Sequence, residues 1–215
     1  MTRVSAAQLR RRVVATAKEM SARGLSPHKS GNVSVRCGDA MLVTPSGLAY
    51  EGMKPDDIVH VGSDGAVRAG EREASSEAPM HLAIYAARPE AGAIVHCHSM
   101  AATALSTLRK PIPAFHYMVT VAGGKDIPCA RYQTFGTPAL AKAAVAALKG
   151  RKACLLANHG QIAFGETLDE ALSIADQIEQ LARMYLDALQ VGKPTVLGDA
   201  EMKRVMKKFE TYGKG

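Results

Sequence analysis

The sequence contains no tryptophan, and phenylalanine and tyrosine together make up only 5% of its 215 residues. Proteins that bind single-stranded nucleic acids stack bases on exposed aromatic rings. Basic runs are equally scarce, since the longest is the arginine triplet at residues 10–12. We therefore expect no nucleic-acid partner, and the formal net charge of +7 instead suits a small anionic ligand.

Cysteine and long apolar runs are also scarce. The four cysteines are scattered without a CxxC pair, so we expect reduced thiols rather than disulfides. No secretory signal is evident at the N-terminus, and no apolar run approaches the roughly 18 residues that a membrane span requires. With 47% hydrophobic and 22% charged residues, the sequence predicts one soluble, cytoplasmic domain over residues 1–215 with no membrane contact.

Helix and strand signals alternate along the chain. Helical spacing of apolar residues and capping residues predict the helices, and alternating or apolar runs between turns predict the strands. The elements predicted in this way are a helix at 5–24, a hairpin of 33–36 and 41–43, helices starting after Thr137 and Thr167, and a last helix at 199–212.

Small polar loops flank the predicted hairpin. Residues 30–32 (Ser-Gly-Asn) precede it, and residues 44–47 (Thr-Pro-Ser-Gly) follow it. Glycine permits close approach of the backbone and the polar side chains add donors, so the two loops together can hold a phosphate. The same residues are common in ordinary turns, and the pattern alone leaves both interpretations open.

A third candidate anion site lies where a helix is expected to begin after residues 75–77 (Ser-Ser-Glu). Ser75 or Ser76 is the expected N-cap, and Pro79 fits the first helical turn. Free amides at a helix N-terminus favour an anion. Glu77 is interpreted either as a carboxylate that stabilises the helix dipole or as a functional group.

Two histidines follow a short apolar run at residues 93–95. Side chains at positions i and i+2 of a strand point to the same face, so His96 and His98 can bind one metal ion such as zinc. An HxH pair is also found as ordinary polar residues at a strand end. His159 strengthens the metal interpretation, because it follows a second predicted buried strand at residues 153–157. Three histidines make a tetrahedral site with one open position.

Several short motifs occur in the order and spacing of the class II aldolase/adducin family, and the chain resembles that family over nearly its whole length. The motifs are SGNVSVR (residues 30–36), TPSG (44–47), SSE (75–77), HCH (96–98) and NHG (158–160). Three further segments resemble the L-fuculose-1-phosphate aldolase branch of the family. These segments are IPAFHYM (112–118), AGGKDIPCARYQTFGT (122–137) and KFETYG (208–213).

The resemblance implies an α/β fold of an α+β-like, three-layer type, with a central, mainly antiparallel sheet flanked by helices. It also implies a homotetramer with active sites at subunit interfaces. One Zn²⁺ per subunit is expected, with His96, His98 and His159 as ligands. Glu77 is expected to be the fourth ligand in the resting state and a proton-transfer group once substrate displaces it.

The resemblance further implies how the substrate is held. The residues expected to bind its phosphate are Gly31, Asn32, Ser46, Gly47, Ser75 and Ser76. Tyr117, presented by the neighbouring subunit, is expected to be the second acid/base. Phe135, Phe209 and Tyr212 are expected to shape the aldehyde end. Lys29 departs from the pattern of the L-fuculose-1-phosphate aldolase branch, which has a threonine three residues before the phosphate-loop asparagine.

The implied activity is zinc-dependent cleavage of a 1-phosphoketose of the L-fuculose 1-phosphate type to dihydroxyacetone phosphate and an aldehyde such as L-lactaldehyde. Aldolases for 5-deoxyribulose or methylthioribulose 1-phosphate are an alternative. An L-ribulose-5-phosphate 4-epimerase is disfavoured because that enzyme has aspartate where this chain has Glu77. The HYM and TYG segments disfavour a methylthioribulose phosphate dehydratase, and the intact metal positions disfavour a non-enzymatic, adducin-like module.

Overall fold

The computed structural model describes residues 4–68 and 72–211, and a seven-stranded sheet forms its centre. The strands are β1 (Gly31–Cys37), β2 (Ala40–Val43), β3 (Val59–Val61), β4 (Ala93–Cys97), β5 (Cys129–Ala130), β6 (Ala153–Leu156) and β7 (Gly160–Gly165). The helices are α1 (Ala6–Ala22), α2 (Ala78–Ala87), α3 (Met100–Ser106), α4 (Pro138–Ala147), α5 (Leu168–Val191) and α6 (Asp199–Phe209). Short 3₁₀ helices cover Pro55–Asp57 and Tyr117–Ala122.

The strand order across the sheet is β3-β2-β1-β4-β7-β6-β5. Neighbouring strands are antiparallel except β5 and β6, which are parallel. Helices α1, α3 and α5 contribute to the hydrophobic core on one face of the sheet, and α2 and α4 contribute to the core on the other. The expected three-layer fold around a mainly antiparallel sheet is thereby confirmed.

Side-chain caps explain several of the predicted helix starts. Ser5 accepts a hydrogen bond from the Gln8 backbone and donates its own backbone N–H to the Gln8 side chain, so a capping box opens α1. Thr137 and Thr167 cap α4 and α5 with their hydroxyl oxygens. The expected end of the last helix at residue 212 lies outside the described residues. Within the described part of the chain, no helix combines the length and apolar character needed to cross a membrane.

Strand β7 is an element that the sequence patterns did not predict. It lies between β4 and β6 and is buried along its whole length, so polar and apolar residues do not alternate in it. A short apolar run of this kind is compatible with either a strand or a buried helix. The register of β4 against β7 pairs His96 with Ile162, so β7 lies directly beside one of the candidate metal ligands.

The ends of three elements meet at one end of the sheet. Asn32, near the start of β1, is paired with His96, near the end of β4. The turn between β6 and β7 lies next to them, since β7 is the other neighbour of β4. The candidate metal ligands lie at this end of the sheet.

Candidate active site

Three histidines converge at that end of the sheet. His96 belongs to β4, His98 follows the strand directly, and His159 lies in the turn between β6 and β7. Their ring centroids are 4.8 to 4.9 Å apart in every pair. Nε2 of His96 lies 3.0 Å from Nε2 of His98, so the HxH pair and the distant third histidine share one small volume.

The turn that carries His159 depends on an unusual backbone and a close approach. Asn158 has a φ of +53°, a conformation that asparagine adopts more readily than most residues. At Gly160, a Cβ atom would lie 2.5 Å from the carbonyl oxygen of Cys97. Only glycine therefore lets this turn pack so closely against the end of β4.

His96 is held in one tautomer by β7. Its Nδ1 lies 2.8 Å from the backbone oxygen of Gln161, and since a carbonyl can only accept, Nδ1 carries the proton. The lone pair of Nε2 is then directed at the cluster, as is usual for a metal-binding histidine with an outer hydrogen bond. Gln161 is itself fixed, because its side chain donates to Ser99 Oγ at 2.8 Å and to the Ala175 carbonyl at 3.1 Å.

Glu77 reaches the cluster from the start of α2. It is the N-cap residue of that helix, so the expectation that Ser75 or Ser76 caps α2 is wrong. The two serines lie in a turn before the helix, in which Ala78 N donates to the Ser75 carbonyl at 2.9 Å. Ser75 Oγ accepts a hydrogen bond from Glu77 N at 3.3 Å, which holds the backbone of Glu77 at the helix entrance.

The Glu77 carboxylate contacts two histidines and one amide. Its Oε2 lies 2.9 Å from His96 Nε2 and accepts a hydrogen bond from Asn32 Nδ2 at 3.0 Å. Its Oε1 lies 3.3 Å from His159 Nε2. The side chain is only 8% exposed, so these contacts are shielded from water.

The cluster combines an ionised carboxylate with largely neutral imidazoles. Burial alone would raise the pKa of Glu77, but the facing His96, together with His159 and the hydrogen bond from Asn32, outweighs burial and holds that pKa well below its usual range. Burial lowers the pKa of His98 to about 3 and the pKa of His159 to about 4. For His96, burial also opposes protonation, but the Glu77 carboxylate raises the pKa of this imidazole above its ordinary value.

These four side chains fit a metal ion. One ligand atom from each lies within 4.8 Å of all the others, and imidazole nitrogen and carboxylate oxygen are donors that zinc takes in proteins. Oε1 of Glu77 is buried without a hydrogen-bond partner among the described residues. A cation between the inward-facing nitrogens and the carboxylate would satisfy these lone pairs.

A cavity of about 390 Å³ opens onto the cluster. Its lining includes Glu77, His98 and His159. The residues expected to bind phosphate all line the same cavity, namely Gly31, Asn32, Ser46, Gly47, Ser75 and Ser76. Phe135, which was expected at the aldehyde end, lines it as well. The structure therefore brings together the metal cluster, the polar loops and one of the aldehyde-end residues.

Two other predicted residues lie apart from this cavity. Tyr117 and Phe209 line a separate groove between the 3₁₀ helix that begins at Tyr117 and α6. Their rings are stacked with centroids 6.3 Å apart, and Tyr117 is 47% exposed. Neither is among the described residues that line the cavity at the cluster. Tyr212 lies outside the described residues.

The cavity also contains side chains to which the sequence patterns gave no role. Tyr132, Gln133 and Asn158 line it. Arg109 supports two of them, because its Nε donates to Asn158 Oδ1 at 2.7 Å and its guanidinium carbon lies 5.6 Å from the centre of the Tyr132 ring. The sequence could have identified these residues, since they belong to the AGGKDIPCARYQTFGT and NHG motifs that resemble the family. Lys29, the departure from the L-fuculose-1-phosphate aldolase branch, lines the cavity too.

A family model described as "Class II Aldolase and Adducin N-terminal domain" matches residues 11–186. The chain belongs to the class II aldolase/adducin family. It is 49% identical over 205 residues to a 5-methylthioribulose-1-phosphate/5-deoxyribulose-1-phosphate aldolase of Rhodospirillum rubrum, with 95% of this chain and 92% of that protein covered. It is 46% identical over 207 residues to an L-fuculose phosphate aldolase of Escherichia coli O6:H1, with 96% of each covered.

A solved structure of an L-fuculose 1-phosphate aldolase has the same fold. Its TM-score is 0.91 at 41% identity, with 94% of this chain and 96% of that chain covered. The expected family, fold and enzyme class are therefore confirmed, and the protein is a class II aldolase, a metal-dependent lyase. The names of the relatives divide between two kinds of ketose phosphate, so the comparisons establish the type of reaction rather than the sugar.

Proposed function

We propose that this class II aldolase uses Zn²⁺ to cleave a 1-phosphoketose, with L-fuculose 1-phosphate as the first candidate, to dihydroxyacetone phosphate and L-lactaldehyde. The observation that carries the proposal is the shared cavity. The cluster of three histidines and one carboxylate opens into the same space as the polar loops rich in serine and glycine. A ketose anchored by its phosphate in those loops therefore directs its carbon chain toward the cluster.

The phosphate is held by groups from three separate segments. Gly31 and Asn32 come from the start of β1, Ser46 and Gly47 from the loop after β2, and residues 75–76 from the turn before α2. Backbone amides and hydroxyl groups at these places can donate to an anion, and the N-terminus of α2 adds a favourable dipole. Fixing the phosphate also fixes the C3–C4 bond of the ketose, which converts binding energy into orientation.

Glu77 and Tyr117 are assigned the two proton transfers. Cleavage between C3 and C4 requires that the C4 hydroxyl lose a proton and that C3 of the three-carbon fragment gain one. In the reverse direction the ionised carboxylate of Glu77 can accept a proton from C3 of dihydroxyacetone phosphate, so in cleavage Glu77, once protonated, is assigned delivery of that proton to C3. Tyr117 is assigned transfer of the proton of the C4 hydroxyl to solvent, which returns a proton to Glu77. A zinc ion bound by His96, His98 and His159 would supply the Lewis acidity that stabilises negative charge on the three-carbon fragment.

The position of Tyr117 supports a homotetramer with active sites at subunit interfaces. Tyr117 and Phe209 line a groove of their own rather than the cavity at the cluster. In a closed symmetric assembly, the same groove of a neighbouring copy can face that cavity. We infer that Phe135 of one subunit encloses the aldehyde together with Phe209 of the next.

A second substrate class is favoured by the 49% identity to the Rhodospirillum rubrum aldolase. Its name specifies 5-methylthioribulose 1-phosphate and 5-deoxyribulose 1-phosphate, which share the dihydroxyacetone phosphate half with L-fuculose 1-phosphate. Residues at the phosphate and at the metal therefore do not distinguish the three ketoses. The aldehyde halves do differ, so we expect Phe135, Phe209 and Tyr212 to decide the preference.

The free thiols of the chain support a cytoplasmic location. All four cysteines are unpaired, and Cys97 and Cys154 are buried. A reducing compartment keeps thiols in this state.

A coupled assay for the release of dihydroxyacetone phosphate tests the proposal. L-Fuculose 1-phosphate, 5-deoxyribulose 1-phosphate and 5-methylthioribulose 1-phosphate are each offered to the protein with and without a chelator. We expect rapid cleavage of at least one ketose that the chelator abolishes and added zinc restores. The ratio of the kcat/KM values then identifies the substrate. If the zinc-loaded protein releases no triose phosphate from any of the three, the proposal is wrong.

A further inference from the structure

Asn32 lies between the phosphate loops and the metal cluster. It lines the cavity, is only 4% exposed, and is paired with His96 across the two central strands β1 and β4. Its Nδ2 donates to Glu77 Oε2 at 3.0 Å. Its Oδ1 is buried without a hydrogen-bond partner among the described residues. One side chain of the expected phosphate site is thus bonded to the expected proton-transfer group.

The backbone beside Asn32 has little freedom to move. Gly31 has a φ of +114°, and its carbonyl accepts a hydrogen bond from the Tyr50 hydroxyl at 2.6 Å. A Cβ atom at Gly31 would lie 2.7 Å from the backbone oxygen of His96, which shows how closely β1 and β4 approach here. When a ligand binds, we therefore expect the side chain of Asn32 to move rather than its backbone.

The Glu77 carboxylate and the substrate phosphate would both accept hydrogen bonds from the same atom, Nδ2 of Asn32. An asparagine side chain donates only through Nδ2, whereas a carboxylate and a phosphate dianion only accept. Nδ2 carries two hydrogens, of which one is donated to Glu77 Oε2. A phosphate bound beside Gly31 would accept the other hydrogen, or the same one after the amide turns toward the phosphate. A buried acceptor without a partner is unfavourable, so the unpartnered Oδ1 indicates that Glu77 alone sets the present orientation of the amide.

We propose that Asn32 couples binding of the substrate phosphate to the release of Glu77. In this coupling the amide turns about its Cβ–Cγ bond to donate to the phosphate, the hydrogen bond from Nδ2 to Glu77 Oε2 weakens, and the carboxylate becomes free to move a proton. The inference rests on the phosphate site of the proposed function and extends it. Asn32 becomes a positioning residue for Glu77 in addition to a ligand of the phosphate.

A double-mutant cycle with inorganic phosphate as the probe tests this coupling. Calorimetry gives the phosphate affinity of the zinc-loaded native protein, of Glu77→Gln, of Asn32→Ala and of the double variant. Glu77→Gln removes the charge that holds the amide. Phosphate should then bind about tenfold more tightly when Asn32 is present and less than about threefold more tightly when it is absent. The gain in phosphate affinity that Glu77→Gln still causes in the absence of Asn32 measures the direct electrostatic repulsion between Glu77 and the phosphate.

Ser76→Ala provides the matched control. Ser76 lines the same cavity, but no hydrogen bond joins its side chain to Glu77 within the described structure, so its effect should combine independently with that of Glu77→Gln. Equal effects of Glu77→Gln with and without Asn32 would overturn the coupling and leave the phosphate site intact. Absence of phosphate binding to the native zinc-loaded protein would overturn both the coupling and the phosphate site.

Because Asn32 is buried in β1, thermal unfolding of each variant is measured first. If Asn32→Ala does not fold, Asn32→Leu takes its place with a side chain of similar volume. The native protein offers an independent measurement, since the side-chain amide resonance of Asn32 should shift as phosphate is added in a ¹⁵N NMR titration. An unchanged resonance at saturating phosphate would contradict the proposal without any substitution.

Discussion

The cluster of Glu77 with three histidines and the groove lined by Tyr117 and Phe209 differ in one respect. A single chain brings all the residues of the cluster together, whereas the groove lies apart from them. Glu77 and the three histidines come from α2, β4 and the β6–β7 turn, are largely buried, and contact one another directly. Tyr117 and Phe209 stack on each other in a groove beside α6, and Tyr117 is half exposed. The sheet and the start of α2 within one chain are therefore enough to assemble the candidate metal site, whereas we expect the second proton-transfer group to act across a subunit boundary.

The largest expected effect comes from breaking the buried half. His159→Ala removes one of the proposed nitrogen ligands, so we expect loss of bound zinc and a fall in kcat/KM of about a thousandfold or more. Zinc content by atomic absorption and the coupled assay measure the two effects. His60→Ala, on the edge strand β3, is the control and should keep both. Unchanged zinc content in His159→Ala would remove this residue from the metal site.

Glu77→Gln should separate metal binding from catalysis. The three histidines remain, so we expect the variant to keep zinc, while kcat falls by about a hundredfold to ten-thousandfold because the proposed proton-transfer group is lost. The measurement is kcat in protein shown to be zinc-replete. Glu73→Gln, an exposed carboxylate close by in sequence, is the matched control. Near-native kcat in zinc-loaded Glu77→Gln would refute the role given to Glu77.

Tyr117→Phe tests the exposed half of the comparison. We expect kcat to fall by about a hundredfold while KM and zinc content stay close to native, since the hydroxyl is assigned only a proton transfer. Mixing this variant with Glu77→Gln sharpens the test. If Tyr117 acts on a neighbour's cluster, then refolding or exchanging equal amounts of the two inactive proteins should restore about a quarter of the native sites. No recovery in demonstrably mixed oligomers would place Tyr117 and Glu77 in the same subunit's site.

The buried half of the site was also the more predictable half. His96 and His98 are separated by two positions at a strand end, and the period of a strand places both on one face. His159 was recognisable because it follows an apolar run and precedes a glycine. The caps at Ser5 and Thr167 were equally visible, because capping depends on neighbours within four residues.

The remaining features depend on tertiary contacts that a local pattern does not contain. Strand β7 is buried on both sides and so lacks alternation, yet the Gln161 carbonyl that orients His96 belongs to it. Glu77, rather than Ser75 or Ser76, is the N-cap of α2, and its carboxylate contacts His96 and His159 instead of capping the helix. The bond between Asn32 and Glu77 joins residues 45 positions apart. No periodicity relates such residues.

The smallest expected effect lies at the phosphate end. Lys29 is exposed and is the only lysine or arginine among the described residues that line the cavity. Lys29→Met keeps the aliphatic stem and removes the charge, so we expect KM for the ketose phosphate to rise by about three- to tenfold, with kcat unchanged. Because salt screens an exposed charge, the difference from native should shrink as ionic strength rises.

Two further variants show whether this contact depends on charge. Lys29→Arg retains a cation and should stay close to native, while Lys18→Met on the exposed side of α1 should change neither KM nor its salt dependence. If Lys29→Met has a native KM at low ionic strength, then the neutral donors of the three loops bind the phosphate unaided. The phosphate loops would in that case resemble the buried cluster, because they would bind the substrate through groups that the fold itself holds in place.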